Sequence, residues 1–133
     1  MTDQTKPPLF QSGLPHHRLI VFHAAVELLR EVRGANIADA KLRDEARGAG
    51  DGGGGAAGRV RAAKGACLNI AEAAGRVSRA DKARVFGIAR GEATEAVAAV
   101  EIAAHAGDAS PEAAERVVRV GTAVVAMLGG LAR

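Results

Sequence analysis

Apolar residues recur at intervals of three and four along this 133-residue chain, for example at Leu19, Phe22, Val26 and Leu29. That spacing places the apolar side chains on one face of an α-helix, whereas a half-buried β-strand requires strict alternation of apolar and polar residues. The alternating pattern occurs nowhere in the sequence. We therefore predict an all-α protein.

Start and stop signals divide the first half of the helical pattern into segments. Pro15 suits the first turn of a helix, where its missing N–H is not needed, and Gly34 is a typical helix end. Asn36 is a typical N-cap for a short helical piece that reaches residue 47. The next helical pattern runs over residues 56–77.

The second half carries clearer cap signals. Ser78 is a good N-cap, and the negative charge of Asp81 suits the positive end of the helix dipole. Gly107 is placed to end this helix, since glycine tolerates the left-handed conformation that follows many helices. Ser110 followed by Pro111 then predicts the start of the last helix.

Four main helices with short connections predict an antiparallel, up-and-down four-helix bundle over residues 15–133, after a flexible arm at residues 1–14. Residues 48–58 contain seven glycines, each of which loses more backbone entropy on ordering than any other residue. We therefore expect a flexible Gly-rich insertion that interrupts the second helix. A phosphate-binding loop would need a preceding strand and a Lys-Ser or Lys-Thr ending, which this segment lacks.

The core must be built from small aliphatic side chains, because the chain has no Trp or Tyr and only three Phe. Alanine lets helices approach closely but buries little area, at roughly 25 cal/mol per Å². Association of several copies would bury more apolar surface. We therefore expect a homo-oligomer.

Positive charge is concentrated in the middle of the chain, although the formal net charge is only +3. The cations between positions 59 and 90 are Arg59, Arg61, Lys64, Arg76, Arg79, Lys82, Arg84 and Arg90. The anions of the same stretch are Glu72 and Asp81. This cluster predicts contact with RNA phosphates or with an acidic protein, and the alternative interpretation is an ordinary solvated helical face.

The residues that usually carry chemistry form no recognisable catalytic set. Cys67 stands between Ala66 and Leu68, so we expect a core residue rather than a nucleophile, and a lone cysteine fits a reducing compartment. A di-metal carboxylate site needs Glu-x-x-His on two helices, whereas Glu101 and His105 are spaced by four. We predict no enzymatic activity, no cofactor and no metal site.

Three histidines, His16, His17 and His23, lie near the start of the first helix. An exposed polar edge is our interpretation, and adventitious metal binding is the alternative. The chain has no basic-then-apolar leader and no apolar run near the about 18 residues of a membrane span. We therefore expect a cytoplasmic protein that makes no membrane contact.

Residues 61–95 resemble the bacterial four-helix bundle protein family, also known as 23S rRNA intervening-sequence proteins and once catalogued with ribosomal proteins. Its hallmark is NIAEG-x-GR, followed by S-x-x-[DE]-x-x-R-x-x-x-IA-x-GS-x-x-E. The matching residues are Asn69, Ile70, Ala71, Glu72, Gly75 and Arg76 in the first part and Ser78, Asp81, Arg84, Ile88, Ala89, Gly91 and Glu95 in the second. The weaker resemblance covers most of residues 19–131.

The resemblance implies a non-enzymatic, up-and-down four-helix bundle that assembles as a ring-like homopentamer. It also marks Asn69, Glu72, Gly75, Gly91 and Glu95 as structural motif residues.

Several positions depart from the family pattern. Ala73 stands where glycine is usual, and Gly65 and Glu92 stand where serine is common. The Gly-rich segment is an insertion relative to the family.

Ion pairs are the expected role of the motif carboxylates. Glu72 and Arg76 are four residues apart on one predicted helix and therefore face each other across a turn. Glu92 and Glu95 on the next helix are placed to reach Arg76 or Arg61.

Taken with the cation cluster and the family resemblance, the sequence predicts a homo-oligomeric bundle that contacts RNA or a ribonucleoprotein through a basic face. The alternative is an oligomeric protein-interaction scaffold with no nucleic-acid role.

Overall fold

The computed structural model describes the backbone of residues 10–47 and 53–133 and the side chains of residues 10–36 and 56–133. A 3₁₀ turn over Pro15–Arg18 precedes helix α1 (Ile20–Arg47). Helices α2 (Gly53–Gly75), α3 (Arg79–His105) and α4 (Pro111–Leu131) follow.

Each helix packs against the next one in the chain, and α4 packs back against α1. The short connections at residues 76–78 and 106–110 make neighbouring helices antiparallel. The described residues contain no β-strand. The predicted all-α, up-and-down four-helix bundle is therefore confirmed.

The helix caps of the second half form as predicted. The Ser78 hydroxyl accepts a hydrogen bond from the Asp81 backbone N–H at 3.1 Å, and the Ser110 hydroxyl accepts one from the Ala113 N–H at 3.1 Å. Gly107 has a φ of +82°. The Gly107 N–H donates a hydrogen bond to the Ala104 carbonyl, and the Asp108 N–H donates one to the Ala103 carbonyl. These two hydrogen bonds form a Schellman motif that ends α3.

The prediction that Gly34 ends the first helix is wrong. Helix α1 runs without interruption through Gly34 to Arg47, so residues 36–47 extend α1 rather than form a separate piece. Pro15 opens only the 3₁₀ turn, because Leu19 is extended and separates that turn from α1. One glycine costs a helix only about 1 kcal/mol, which the packing of neighbouring turns offsets.

The Gly-rich segment is partly helical. Helix α2 begins at Gly53, so residues 53–58 belong to its first turns rather than to a loop. Residues 48–52 lie outside the described residues, as do residues 1–9 of the predicted arm. The described part of that arm, residues 10–14, is exposed and has no helix.

The core is built mainly from alanine and aliphatic side chains, as predicted, and it also contains Phe86 and Cys67. Leu28, Ile70 and Leu128 are among its largest fully buried members, and alanines occupy many of the other core positions. The predicted apolar stripe of the first helix is wrong by one residue. The buried face of α1 is formed by Val21, Ala25, Leu28, Val32 and Ala35. Residues 19, 22, 26 and 29 are only partly buried beside it.

Helices α3 and α4 are in close contact at Gly121. A Cβ atom added there would overlap the Cγ2 atom of Val97 on α3. Glycine at this buried position is therefore required by the contact between the two helices.

No helix in the described part of the chain is both long enough and apolar enough to cross a membrane.

Replacing Gly34 with alanine should raise the free energy of unfolding by about 0.5–1 kcal/mol, because alanine has the higher helix propensity. A Cβ atom at this position meets nothing within 4 Å. Urea unfolding followed by circular dichroism measures the change. A loss of stability would contradict a continuous α1.

Replacing Gly121 with alanine should lower the free energy of unfolding by about 1–2 kcal/mol, since overpacking outweighs the gain in helix propensity. The cost should largely disappear in a Val97→Ala background, which removes the overlapping methyl group. A double-mutant cycle measures this coupling. An equal cost in both backgrounds would rule out the Val97 contact as the cause.

Candidate nucleic-acid interface

A groove of about 780 Å³ runs along the outer side of α2, next to α1. Arg33 lines it from α1, and Arg61 and Lys64 line it from α2. Its apolar lining consists of Ala56, Ala57, Val60 and Leu68. We call this feature the basic groove.

The cations of the basic groove are available for a ligand. Arg33, Arg61 and Lys64 are exposed, and no carboxylate of the described residues forms an ion pair with any of them. The side-chain amide of Asn36 donates to the Ala56 carbonyl at 2.9 Å and ties α1 to the first turns of α2. Uncompensated positive charge beside a fixed wall attracts anionic groups.

Arg59 does not contribute to this surface. Only 5% of its side chain is exposed, whereas the neighbouring Arg61 and Lys64 point outward. On a helix, residues 61 and 64 share one face, whereas residue 59 lies on a different face, which is buried. Arg59 is therefore not part of the exposed cation cluster, although it belongs to the cluster in the sequence.

A second group of predicted cations lies at the turn between α2 and α3. Arg76 pairs with Glu72 and with Asp81, the latter at 3.3 Å, and Arg84 pairs with Asp81 at 2.9 Å. The Glu72 hydrogen bond and the Asp81 charge raise the pKa of Arg76. The predicted Glu72–Arg76 ion pair thus forms, and it reduces the charge that these arginines offer a ligand.

Arg79 and Lys82 are the members of the turn group that form no ion pair within the described residues. Arg90 lies apart, because its Nε atom is 3.6 Å from where a Cβ of Gly129 on α4 would be. Lys64 and Arg76 are separated by about 18 Å along the bundle, at 1.5 Å per helical residue. The cluster of cations predicted from the sequence is therefore divided into the basic groove, the turn group and a separate Arg90.

Asn69 and Glu92 connect α2 to α3, and Glu92 also lines the basic groove. The Asn69 amide donates to the Gly65 carbonyl at 3.1 Å and to Glu92 Oε1. The other Glu92 oxygen occupies the space that a Cβ of residue 65 would fill. Gly65 and Glu92 both depart from the family pattern, and they are direct neighbours. The missing side chain of Gly65 leaves space for the Glu92 carboxylate.

Burial raises the pKa of Glu92, and the nearby Glu95 adds to the effect, while the Asn69 hydrogen bond opposes it. Within the described residues Glu92 and Glu95 form no ion pair with Arg61 or Arg76. The sequence did not identify Glu92 as a wall of the groove. Its contact with Asn69 joins residues 23 positions apart, which no local pattern reveals.

The remaining motif residues lie on the surface. Gly75, Gly91 and Glu95 are exposed, and a Cβ at either glycine would meet nothing within 4 Å. Exposed apolar side chains share the outer surface of α2 and α3, namely Leu68 (71%), Ile88 (43%) and Ile102 (67%).

The one thiol of the described residues is poorly placed for catalysis. Cys67 is in the core, as predicted, and burial raises the pKa of its thiol to about 11. Among the described residues no three His, Cys, Asp or Glu side chains come close enough to share a metal ion. The arrangement can bind anions through Arg and Lys.

The N-terminal histidines are less exposed than we predicted. His16, His17 and His23 are half-buried around Phe22, and His23 Nε2 donates to the His17 carbonyl at 3.0 Å. Burial, followed by the charges of His17 and His23, lowers the pKa of His16. These rings fix the 3₁₀ turn against α1.

A protein-family model described as 23S rRNA-intervening sequence protein matches residues 59–130, which is more than half of the chain. The matched segment contains most of α2, all of α3 and nearly all of α4. A search of curated proteins finds no match.

A carbon-detected NMR titration should place the pKa of Glu92 above the ordinary value of 4.5. Because the folded protein then binds the proton more tightly than the unfolded chain, ionised Glu92 lowers stability at neutral pH. Glu92→Gln should therefore stabilise the protein at neutral pH, and the difference should shrink as the pH falls through the folded pKa. Asn69→Ala should raise the Glu92 pKa further, and a lowered pKa in that variant would contradict the assigned hydrogen bond.

Proposed function

Because the chain belongs to the 23S rRNA-intervening sequence protein family, we propose that it is a non-enzymatic, homo-oligomeric four-helix-bundle protein that contacts RNA or a ribonucleoprotein through a basic face. The observation that carries the RNA contact is the set of exposed cations without carboxylate partners in the described residues. These are Arg33, Arg61 and Lys64 in the basic groove and Arg79 at the turn, where the half-buried Lys82 also has no carboxylate partner.

Phosphate recognition by this face depends on charge and shape. Lysine and arginine release counterions when they neutralise phosphates, so affinity falls as salt rises. The described surface presents no Trp or Tyr, and Phe22 packs among histidines away from the basic groove. Stacking of bases on aromatic rings therefore contributes nothing at the groove.

Two features of the single chain support self-association: its core buries little apolar area, and large apolar side chains remain exposed on its surface. Alanines fill much of the core, so each helix pair removes little apolar area from water. Ile88 and Ile102 remain on the outer surface of α3, outside the basic groove. Contact between copies would cover such residues, and a homopentamer is the assembly that the family resemblance suggests.

A cytoplasmic location and the lack of catalysis are parts of the same proposal. The free thiol of Cys67 fits a reducing compartment. Its raised pKa suppresses the thiolate that a nucleophile needs.

The mixed character of the α2–α3 surface favours a second candidate, an oligomeric protein-interaction scaffold with no nucleic-acid role. There the exposed Glu72 and Glu95 alternate with Leu68 and Ile88. Carboxylates repel phosphates but suit a protein partner, and apolar side chains add area to such a contact.

Size-exclusion chromatography with light scattering, refractive index and ultraviolet detection separates the two candidates. The chain has no Trp or Tyr, so strong near-ultraviolet absorbance under its peak reports bound nucleic acid. An oligomer whose absorbance disappears at high salt supports the RNA contact. An oligomer free of nucleic acid supports the scaffold, and a monomer contradicts self-association.

Reversing two groove charges, Arg61→Glu with Lys64→Glu, should weaken RNA binding by about tenfold or more. The slope of log affinity against log salt should fall by about 1.4–1.8, the contribution of two phosphate contacts. Fluorescence anisotropy over a salt series measures both quantities.

The matched control reverses two exposed arginines elsewhere, Arg18→Glu with Arg119→Glu, and changes the net charge equally. It should alter affinity by less than about threefold, since charges beyond a Debye length are screened. Equal losses in the two double variants would show that net charge, and not the basic groove, governs binding.

A further inference from the structure

The basic groove differs from a simple phosphate-binding surface, because its cations surround apolar side chains. Val60 and Leu68 lie in the groove with Ala56 and Ala57, and Leu68 is 71% exposed. A duplex presents phosphates and sugars outward and hides the faces of its bases. An apolar floor therefore offers nothing to duplex RNA, but it can cover the face of an unpaired base.

The groove also carries charges of both signs. Arg33, Arg61 and Lys64 supply positive charge along the groove, whereas Glu92 of α3 closes it with a half-buried carboxylate. A ligand that is anionic throughout would be repelled by Glu92. A nucleotide carries both a phosphate and the N–H donors of its base, and it therefore offers a partner to each sign of charge.

The dimensions agree with this occupant. The volume of about 780 Å³ falls in the range of roughly 300–1,000 Å³ that is usual for small-molecule sites. Arginine guanidinium planes also stack on bases, so Arg61 can serve both a phosphate and a ring face.

We propose that the basic groove holds an unpaired nucleotide of a single-stranded RNA, with phosphates on Arg33, Arg61 and Lys64 and the base on the apolar floor. This proposal rests on the RNA contact proposed above and names the form of RNA that the groove takes. The turn group, with Arg79 and Lys82, lies farther along the bundle and contacts phosphates only.

The test compares three fluorescently labelled probes with the full-length protein. The first is a single-stranded RNA of about ten nucleotides, the second is the same strand paired with its complement, and the third is an abasic strand with the same number of phosphates. The single-stranded RNA should bind about tenfold more tightly than the abasic strand and more tightly than the duplex.

The diagnostic variant is Leu68→Gln, which removes apolar floor without changing charge. Leu68 is exposed, so the substitution leaves the core intact. It should weaken binding of the single-stranded RNA by about fivefold and leave the abasic strand and the salt slope unchanged. The matched control is Ile20→Gln, at a similarly exposed position on α1 (77%) outside the groove, and it should change nothing.

The outcomes separate this proposal from the one on which it rests. Equal affinity for the three probes, or insensitivity to Leu68→Gln, overturns the nucleotide site and leaves a charge-based RNA contact in place. Tighter binding of the duplex also overturns the nucleotide site. The absence of binding to any probe at low salt overturns both.

Discussion

Alanine and glycine at the centre of the bundle let the backbones of neighbouring helices approach closely, and the arrangement of the surface depends on this approach. At Gly121 the contact between α3 and α4 leaves no space for a side chain. At Gly65 the space over α2 is filled by the Glu92 carboxylate of α3. The close contact of α2 and α3 thus fixes Glu92 in the lining of the basic groove.

The same packing decides which charges face solvent. Residues 59–64 carry three cations within two helical turns, but the face of α2 that contacts the core takes Arg59, while Arg61 and Lys64 point outward. At the turn, Asp81 caps α3 and also pairs with Arg76 and Arg84. The basic face is therefore strongest in the groove, where cations have no carboxylate partners among the described residues.

Local signals were sufficient for much of the fold. Ser78, Ser110 and Gly107 act on backbone groups within a few residues, so their caps could be read from adjacent positions. The Glu72–Arg76 pair follows from helical spacing in the same way. The prediction that Gly34 ends the first helix is wrong, because a glycine can either end a helix or lie inside one, and tertiary packing decides between the two.

The sequence by itself determined the helical class, the caps, the small-residue core and the family, since these depend on periodicity, composition and motif residues close together in the chain. Only the tertiary structure decided how the predicted cations divide into groups, that Arg59 is buried, and that Glu92 meets Asn69 across 23 positions. The physical reason is that helix rotation and the distance between helix axes are set by side chains from several helices at once. No single segment encodes those quantities.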